Sequence, residues 1–174
     1  GGGIIMDGKI LTGENGAAGE IGHITVNPKE TLTCGCGCKG CLEQYSSATG
    51  VIRMAKERLE ASDKPSELRK FAADEIGGKE VFDAYKAGDE LALEIVDTQA
   101  RILGRALAQI ACVVDPEIFV IGGGVSKAGS ILTDSVKKYF EHYAFHACRQ
   151  TKFALAQLGN DAGIYGSACS ILGR

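Results

Sequence analysis

The side chains best suited to binding a metal ion lie close together early in this chain, within residues 20–43. Thiolate and imidazole groups are the donors that a soft divalent metal takes at tetrahedral angles, and short spacings allow one tight loop to supply several of them. The candidate metal ligands are His23, Cys34, Cys36 and Cys41. Three sulfurs and one nitrogen form a closed structural zinc set, because four protein ligands leave no open position for catalysis.

A further cysteine in the same stretch, Cys38, leaves the ligand set open. It could replace His23 in an all-cysteine site. A reduced, glycine-rich surface loop without metal is the other alternative, but cysteine clusters of this kind are typical of metal sites in cytosolic chains. We therefore expect a zinc loop over residues 27–42. A bound zinc ion would supply on the order of 10 kcal/mol to a loop that has no hydrophobic core of its own.

Two carboxylates, Glu20 and Glu43, flank the cysteines. A carboxylate accepts hydrogen bonds from neighbouring hydroxyl groups, which suits a sugar, and a zinc-bound imidazole keeps one N–H for the same purpose. Glu20 and His23 share a face only if their segment forms a helical turn. A lone glutamate beside a histidine is usually a surface pair, but the metal loop and the second carboxylate favour a binding site made of Glu20, His23 and Glu43.

A second candidate site follows a short apolar run at Ile118–Ile121, which we expect to be a buried strand. Gly122–Gly124 come directly after it and before a helical pattern, and such a turn lets the backbone approach a nucleotide. The pattern is neither the P-loop nor the dinucleotide fingerprint, so a tight strand-to-helix turn is the alternative. His142 and His146 have no metal-type spacing around them, and we interpret them as solvated or core residues.

The hydrophobic pattern alternates between strands and helices, which predicts an α/β fold with a mixed sheet. Asp7-Gly8 predicts a β-hairpin over Ile4–Leu11. Further strands are expected at residues 23–26 and 151–158. Helices are predicted from residue 42 with a cap at Ser46, Ser47 or Thr49, at 65–73, at 79–87, from a cap at Asp89 to about Val114, at 127–143, and from a cap at 160–161 to Leu172.

The bulk composition excludes several classes of protein. The chain has 174 residues, enough for one domain or one half of a larger protein, and its net charge of −3 gives no reason to expect a nucleic acid or an anionic membrane as partner. No apolar run approaches the ~20 residues of a membrane span, and no signal peptide is visible. Seven cysteines, four of them clustered, suit a reducing cytoplasm. The start at three glycines without methionine suggests a piece of a longer polypeptide.

Several segments together resemble one protein family. They are GGGIIMDGKILTGENGAAGEIGHITVNP at residues 1–28, C-G-C-G-x-x-G-C-L-E across Cys34–Glu43, DPEIFVIGGGVS at 115–126 and LGNDAGIYGSA at 158–168. On these motifs the whole chain resembles the C-terminal half of a ROK-family (repressor, open reading frame, kinase) sugar kinase, and most closely the bacterial glucokinases. The histidine and cysteine motif is highly specific, and the glycine motifs add support.

The resemblance implies an actin-like, ribonuclease-H-like ATPase fold in which residues 1–174 are the C-terminal domain. It also implies phosphorylation of the 6-hydroxyl of glucose by ATP with Mg²⁺. The matching residues are, for the sugar, Glu20, His23 and Glu43; for zinc, His23, Cys34, Cys36 and Cys41; and for ATP, Gly1, Gly2, Gly122, Gly123 and Gly124. Cys38 falls at a variable position of the family motif, and we interpret it as a bystander. A homodimer is expected, with no membrane or nucleic acid as partner.

One departure from the family limits this expectation. The family's catalytic base is an aspartate in a segment that would precede Gly1, so we expect the chain alone to be inactive. A sugar-responsive transcriptional repressor shares this half of the fold and is one alternative. Other ROK kinases, acting on mannose, fructose or N-acetylglucosamine, share the zinc motif. A non-catalytic, zinc-stabilised dimerisation module is a third alternative.

Overall fold

The structure, a computed structural model, describes residues 1–123 and 129–172. Its strands are Ile5–Met6 (β1), Lys9–Ile10 (β2), Ile118–Ile121 (β3) and Lys152–Leu155 (β4). Its α-helices are Glu43–Ser46 (α1), Ala48–Ala61 (α2), Gly78–Lys86 (α3), Glu90–Val114 (α4), Ser130–Tyr143 (α5) and Ala162–Leu172 (α6). Short 3₁₀ turns lie at Ile21–His23, Glu67–Lys70, His146–Cys148 and Gly159–Asp161. The α/β class that the sequence predicts is confirmed.

Helix α4 is the central element and begins and ends as the sequence predicts. The Asp89 side chain accepts a hydrogen bond from the Ala92 N–H, 2.9 Å away, which satisfies one of the free donors at the helix start. At the other end Asp115 takes a left-handed conformation with φ of 42°, and its N–H bonds the Ala111 carbonyl. The apolar stripe of α4 is buried against α2, α3 and α5, so α4 organises the hydrophobic core.

Helix α2 and the hairpin also confirm local predictions. Ser47 is the cap of α2, because its Oγ accepts the Gly50 N–H at 3.0 Å. Asp7 and Gly8 both have positive φ, 51° and 74°. Two positive φ values in succession form the kind of turn that matches the twist of the strands in a two-residue hairpin. Strands β1 and β2 are antiparallel, with Ile5 opposite Ile10.

Strands β3 and β4 form a parallel pair that packs on α5 through aromatic rings. Phe119, Phe140 and Phe153 lie with ring centroids 5.2–5.7 Å apart in edge-on and tilted arrangements. The prediction that Ile118–Ile121 is a buried strand is wrong, since Ile118 and Val120 are 41% and 60% exposed. Side chains alternate along a strand, and in the part of the chain that the structure describes only one face of β3 packs against helices.

Three other predicted elements differ from the observed ones, and one of them, the strand predicted at 151–158, shortens to Lys152–Leu155. Residues 23–26 are not a strand: Ile21–His23 is a 3₁₀ turn, and Thr25 makes a single β-bridge to Cys41. Residues 65–73 shorten to the 3₁₀ turn Glu67–Lys70, with Ser66 as its cap. Over the two stretches that the structure describes, no helix is both long and apolar enough to cross a membrane.

Removing the Asp89 cap is expected to destabilise the fold in a pH-dependent way. Burial tends to raise the pKa of Asp89, but hydrogen bonds from the N–H groups of Ala92 and Glu67 outweigh it and hold the pKa below its usual value. Its stabilising contribution is therefore complete above the unfolded pKa of about 3.9 and is lost as pH falls through the folded one. Asp89→Ala should cost about 1–2 kcal/mol in urea unfolding at pH 7.

Asp89→Asn is the matched control for this prediction. Its amide oxygen keeps a cap acceptor but cannot be titrated, so it should lose less stability than Asp89→Ala at pH 7. The difference in unfolding free energy between the unmodified chain and Asp89→Asn should disappear as the pH falls below 4. A gap that stays constant between pH 7 and pH 3 would contradict the role of the charged carboxylate.

Candidate metal centre and flanking carboxylates

The four side chains that the sequence singles out as metal ligands come together. The ligand atoms of His23, Cys34, Cys36 and Cys41 all lie within 4.8 Å of one another. The Cys36 and Cys41 sulfurs are 3.6 Å apart, and Cys34 Sγ is 3.7 Å from His23 Nδ1. Two sulfurs bound to one tetrahedral zinc lie about 3.8 Å apart, given a Zn–S length of about 2.3 Å. The donor set and its spacing therefore fit zinc.

Two glycines with positive φ allow the cysteine loop to turn back on itself. Gly37 has φ of 87° and Gly40 has φ of 72°. Across the turn at Gly37, Thr33 forms a β-bridge with Lys39, and the Cys34 N–H donates to the Cys38 carbonyl at 2.7 Å. At Gly40 a Cβ atom would fall 1.9 Å from the Asn27 carbonyl oxygen, so no side chain fits there. These turns carry the three cysteine ligands to one side of the loop.

The 3₁₀ turn Ile21–His23 orients the histidine. His23 Nδ1 faces the cysteines, and Nε2 lies 3.9 Å from a Glu20 carboxylate oxygen. Glu20 and His23 thus share one face, as the helical-turn alternative required. The chain reaches this position by pairing with the end of the loop, where the Leu42 N–H bonds Ile24 O at 2.9 Å.

The thiols of the cluster differ in acidity. The backbone N–H of Cys38, followed by neighbouring thiols, lowers the pKa of Cys36 to about 7. Burial, followed by hydrogen bonding with Cys36, raises the pKa of Cys41 to about 12. A metal binds thiolates, so loading the site releases protons and metal affinity rises with pH.

The carboxylate of Glu43 lies beside the cluster and close to the first residues of the chain. Glu43 is the first residue of α1, and its Oε1 is 3.4 Å from Cys34 Sγ. A Cβ atom on Gly22 would lie 3.6 Å from the Glu43 Cβ and 3.4 Å from the Gly1 nitrogen. Gly2 in turn packs so closely on residues 19–21 that a Cβ there would meet the Gly19 carbonyl at 2.7 Å. Gly1 and Gly2, which the resemblance assigns to ATP, therefore lie beside the segment that carries the two candidate sugar-binding carboxylates.

Gln44 fixes the end of the loop, a role that the sequence did not predict. Gln44 accepts the Cys41 N–H at 3.0 Å through Oε1 and donates to the Leu32 carbonyl at 3.1 Å through Nε2. The side chains of Glu30 and Tyr45 make a second connection. None of these side chains belongs to the cluster of four donor atoms. The spacing of the candidate metal ligands in the sequence therefore gave no indication of their role.

The other glycine segment lies on a different element. Gly122 and Gly123 follow the carboxyl end of β3, and Gly123 has φ of 80°. A Cβ on Gly122 would be 3.2 Å from the Ala156 Cβ after β4, a tight approach of two backbones. Gly124 lies outside the described residues. From the sequence we interpret His142 and His146 as solvated or core residues; both are exposed, and their rings contact those of Tyr143 and Phe145 in edge-on and tilted arrangements.

Comparison with known proteins identifies the family. The ROK family profile matches residues 1–173. This chain belongs to the ROK family. A glucokinase of Halalkalibacterium halodurans is 48% identical over 170 residues, which cover 95% of this chain and 51% of that protein. The ROK chain therefore spans about half the length of the curated relatives it matches.

Solved structures place the fold among ROK sugar kinases. The ROK glucokinase of Streptomyces griseus, in complex with glucose and AMPPNP, superposes with a TM-score of 0.85 at 37% identity, covering 95% of this chain and 55% of that one. A ROK transcriptional regulator, a homologue of the Escherichia coli MLC protein, gives a TM-score of 0.76 at 32% identity over 88% of this chain and 38% of that one. The actin-like ATPase fold expected from the sequence is confirmed.

Proposed function

We propose that this ROK chain is the sugar-binding and metal-stabilised half of an ATP-dependent hexokinase of the glucokinase type. The observation that carries the proposal is the convergence of a zinc-type donor set with two carboxylates, Glu20 and Glu43, on one surface. The similarity to a glucokinase over 95% of the chain supports the same activity. The reaction would move the γ-phosphoryl of ATP to the 6-hydroxyl of glucose, in the cytoplasm.

Each group in the site has a distinct role in this proposal. Glu20 and Glu43 accept hydrogen bonds from ring hydroxyls, because ionised carboxylates are acceptors only. His23 connects the two functions, since Nδ1 faces the thiols while Nε2 lies on the side of Glu20. Zinc held by His23, Cys34, Cys36 and Cys41 would supply fixed geometry to the loop and no catalytic step, because its four positions are filled.

The nucleotide would lie against glycine backbone. Gly1 packs beside Gly22, near Glu43, and Gly2 packs on Gly19 and Ile21, which would bring the phosphates close to the sugar. The turn that begins with Gly122 and Gly123 would lie against the adenosine of ATP. Mg²⁺ would neutralise the phosphate charge. The base that takes the hydroxyl proton is, in this proposal, supplied by the half of the kinase that lies outside these residues, so the chain alone turns over no ATP.

The sharpest test of the sugar role is Glu20→Gln in the polypeptide that includes both halves. A lost hydrogen bond to an ionised group costs about 1.5–3 kcal/mol, so kcat/KM for glucose should fall roughly 10- to 100-fold. Glu14→Gln is the matched control, because Glu14 lies exposed in the same glycine-rich segment and flanks no metal ligand. Equal kcat/KM values for Glu20→Gln and the unmodified enzyme would refute the assignment. Comparing glucose with mannose, fructose and N-acetylglucosamine as substrates would identify the preferred hexose.

A sugar-responsive repressor is the second candidate for the whole protein. It is favoured by the 0.76 TM-score with a ROK transcriptional regulator. The net charge of −3 argues against DNA contacts by this half, so a repressor would need a DNA-binding region elsewhere. ATP-dependent sugar phosphorylation by the two-half polypeptide, without specific DNA binding, would decide for the kinase.

We also propose that the kinase is a homodimer.

A further inference from the structure

We propose that Tyr45, together with Glu30 and Arg53, forms a latch that holds the metal loop closed and slows release of its metal. None of the three is a ligand of the cluster. All three are positioning residues that act through the backbone of the loop. The inference rests on the metal site proposed above, and it concerns how long the site keeps its ion.

Tyr45 ties the first part of the loop to the helix that follows the loop. Its hydroxyl donates to Glu30 Oε2 at 2.5 Å and accepts from Asn27 Nδ2 at 2.7 Å. Tyr45 belongs to α1 and is only 8% exposed, so its ring is fixed by the core. Asn27 and Glu30 precede the first cysteine ligand. The Tyr45 hydroxyl therefore joins the incoming and outgoing ends of the loop through side chains, in addition to the backbone bonds of Val26 and Asn27 to the Gly40 carbonyl.

The carboxylate of Glu30 is held from several directions. Its Oε1 accepts the Thr31 and Leu32 N–H groups at 2.8 and 3.0 Å, and its Oε2 lies 3.6 Å from an Arg53 nitrogen. The side chain of Glu30 is only 10% exposed. The Tyr45 hydroxyl, followed by the Leu32 N–H, keeps the pKa of Glu30 below its ordinary value. The latch is thus a charge-assisted hydrogen bond in a sheltered place, a stronger type than an exposed neutral one.

Arg53 connects the latch to α2. Its guanidinium lies over the Tyr45 ring, 5.3 Å from the ring centroid, and donates to the Gln44 carbonyl at 3.0 Å. A cation above an aromatic face is attracted to it and restricts ring movement. Since α2 packs on α4, Arg53 connects the metal loop to the core of the domain.

The ligands can leave a metal only if the loop opens. With Tyr45 bonded to Glu30, and with the Asn27 carbonyl packed against Gly40, the two ends of the loop cannot separate without breaking these contacts. Losing a hydrogen bond to an ionised group typically changes an equilibrium such as the opening of this loop by roughly 10- to 100-fold. Removing the hydroxyl of Tyr45 should therefore speed metal release while all four ligands remain unchanged.

The test is the rate at which a coloured chelator in excess removes zinc from the loaded chain. Because the lost bond joins the hydroxyl to an ionised carboxylate, Tyr45→Phe should release zinc roughly 10-fold faster or more. Its cobalt-substituted form should keep the visible absorption spectrum of the unmodified chain, because the donor atoms are the same. Tyr139→Phe is the matched control, since it removes another tyrosine–carboxylate bond, to Asp97 between α5 and α4. It should leave the zinc release rate unchanged.

Glu30→Gln is a second variant in case Tyr45→Phe folds poorly. It keeps an acceptor for Tyr45 but removes the charge, so it should also speed release, by a smaller factor. Release rates of both variants equal to that of the unmodified chain would overturn the latch. An unmodified chain that binds no zinc would overturn the metal site and the latch together, so the two failures are distinguishable.

Discussion

Cys41→Ser should leave the chain with almost no bound zinc and with a metal loop that no longer resists chelators. Cys41 is completely buried, and its sulfur lies 3.6 Å from that of Cys36. A hydroxyl is a poor replacement for a thiolate at a soft metal. Binding of a structural zinc contributes on the order of 10 kcal/mol, and that energy is coupled to folding. Elemental analysis should fall from about one zinc per chain to near zero, since the site has one tetrahedral position for the ion.

Cys38→Ser is the control for this loss. Cys38 is exposed and lies outside the cluster of four donor atoms. We expect this variant to keep its zinc and to melt at the temperature of the unmodified chain. Zinc loss in Cys38→Ser, with zinc retained in a His23→Ala variant, would show that the site is an all-cysteine one instead.

Gly104→Ala should produce a large loss of stability in the core of the domain, away from the metal loop. Gly104 lies in the middle of α4 where α5 crosses it. An added Cβ would lie 2.7 Å from the Val136 carbonyl oxygen and 2.8 Å from the Phe140 nitrogen. Both atoms belong to the backbone of α5, so they can move only if the helices separate. Overpacking of this kind costs about 1–3 kcal/mol, which urea unfolding would measure.

Gly163→Ala provides the matched comparison. Gly163 also lies in a helix, α6, but apart from its chain neighbours and the backbone of its own helix no heavy atom of the described residues lies within 4 Å of the position where its Cβ would stand. In that open position, replacing glycine by alanine should stabilise the helix by up to about 1 kcal/mol. If Gly104→Ala also stabilised the chain, the close approach of α4 to α5 would be contradicted.

The parts of the fold that follow from local chemistry could be predicted from the sequence. Asp89 caps α4, Ser47 caps α2 and Asp7-Gly8 turns the hairpin, because each preference depends on a few neighbouring atoms. The expected metal ligands also meet in space, since cysteine spacing within one loop limits where the sulfurs can lie.

The parts that depend on distant packing could not be predicted. Ile118 and Val120 read as core residues, but which face of a strand is covered depends on helices far along the chain. Residues 23–26 favour a strand by residue type. In the structure His23 lies in a 3₁₀ turn instead, with its Nδ1 3.7 Å from Cys34 Sγ of the cysteine loop. The bond between Tyr45 and Glu30 spans 15 residues and depends on the turns at Gly37 and Gly40, which no spacing rule reveals.

The most direct measurement of the central claim is X-ray absorption at the zinc edge of the purified chain. We predict three sulfur ligands at about 2.3 Å and one nitrogen ligand at about 2.0–2.1 Å, supplied by Cys34, Cys36, Cys41 and His23. The nitrogen signal should disappear in His23→Ala. Four sulfur ligands in the unmodified chain, or no zinc, would contradict the proposal that His23 joins the metal loop to the sugar-binding carboxylates.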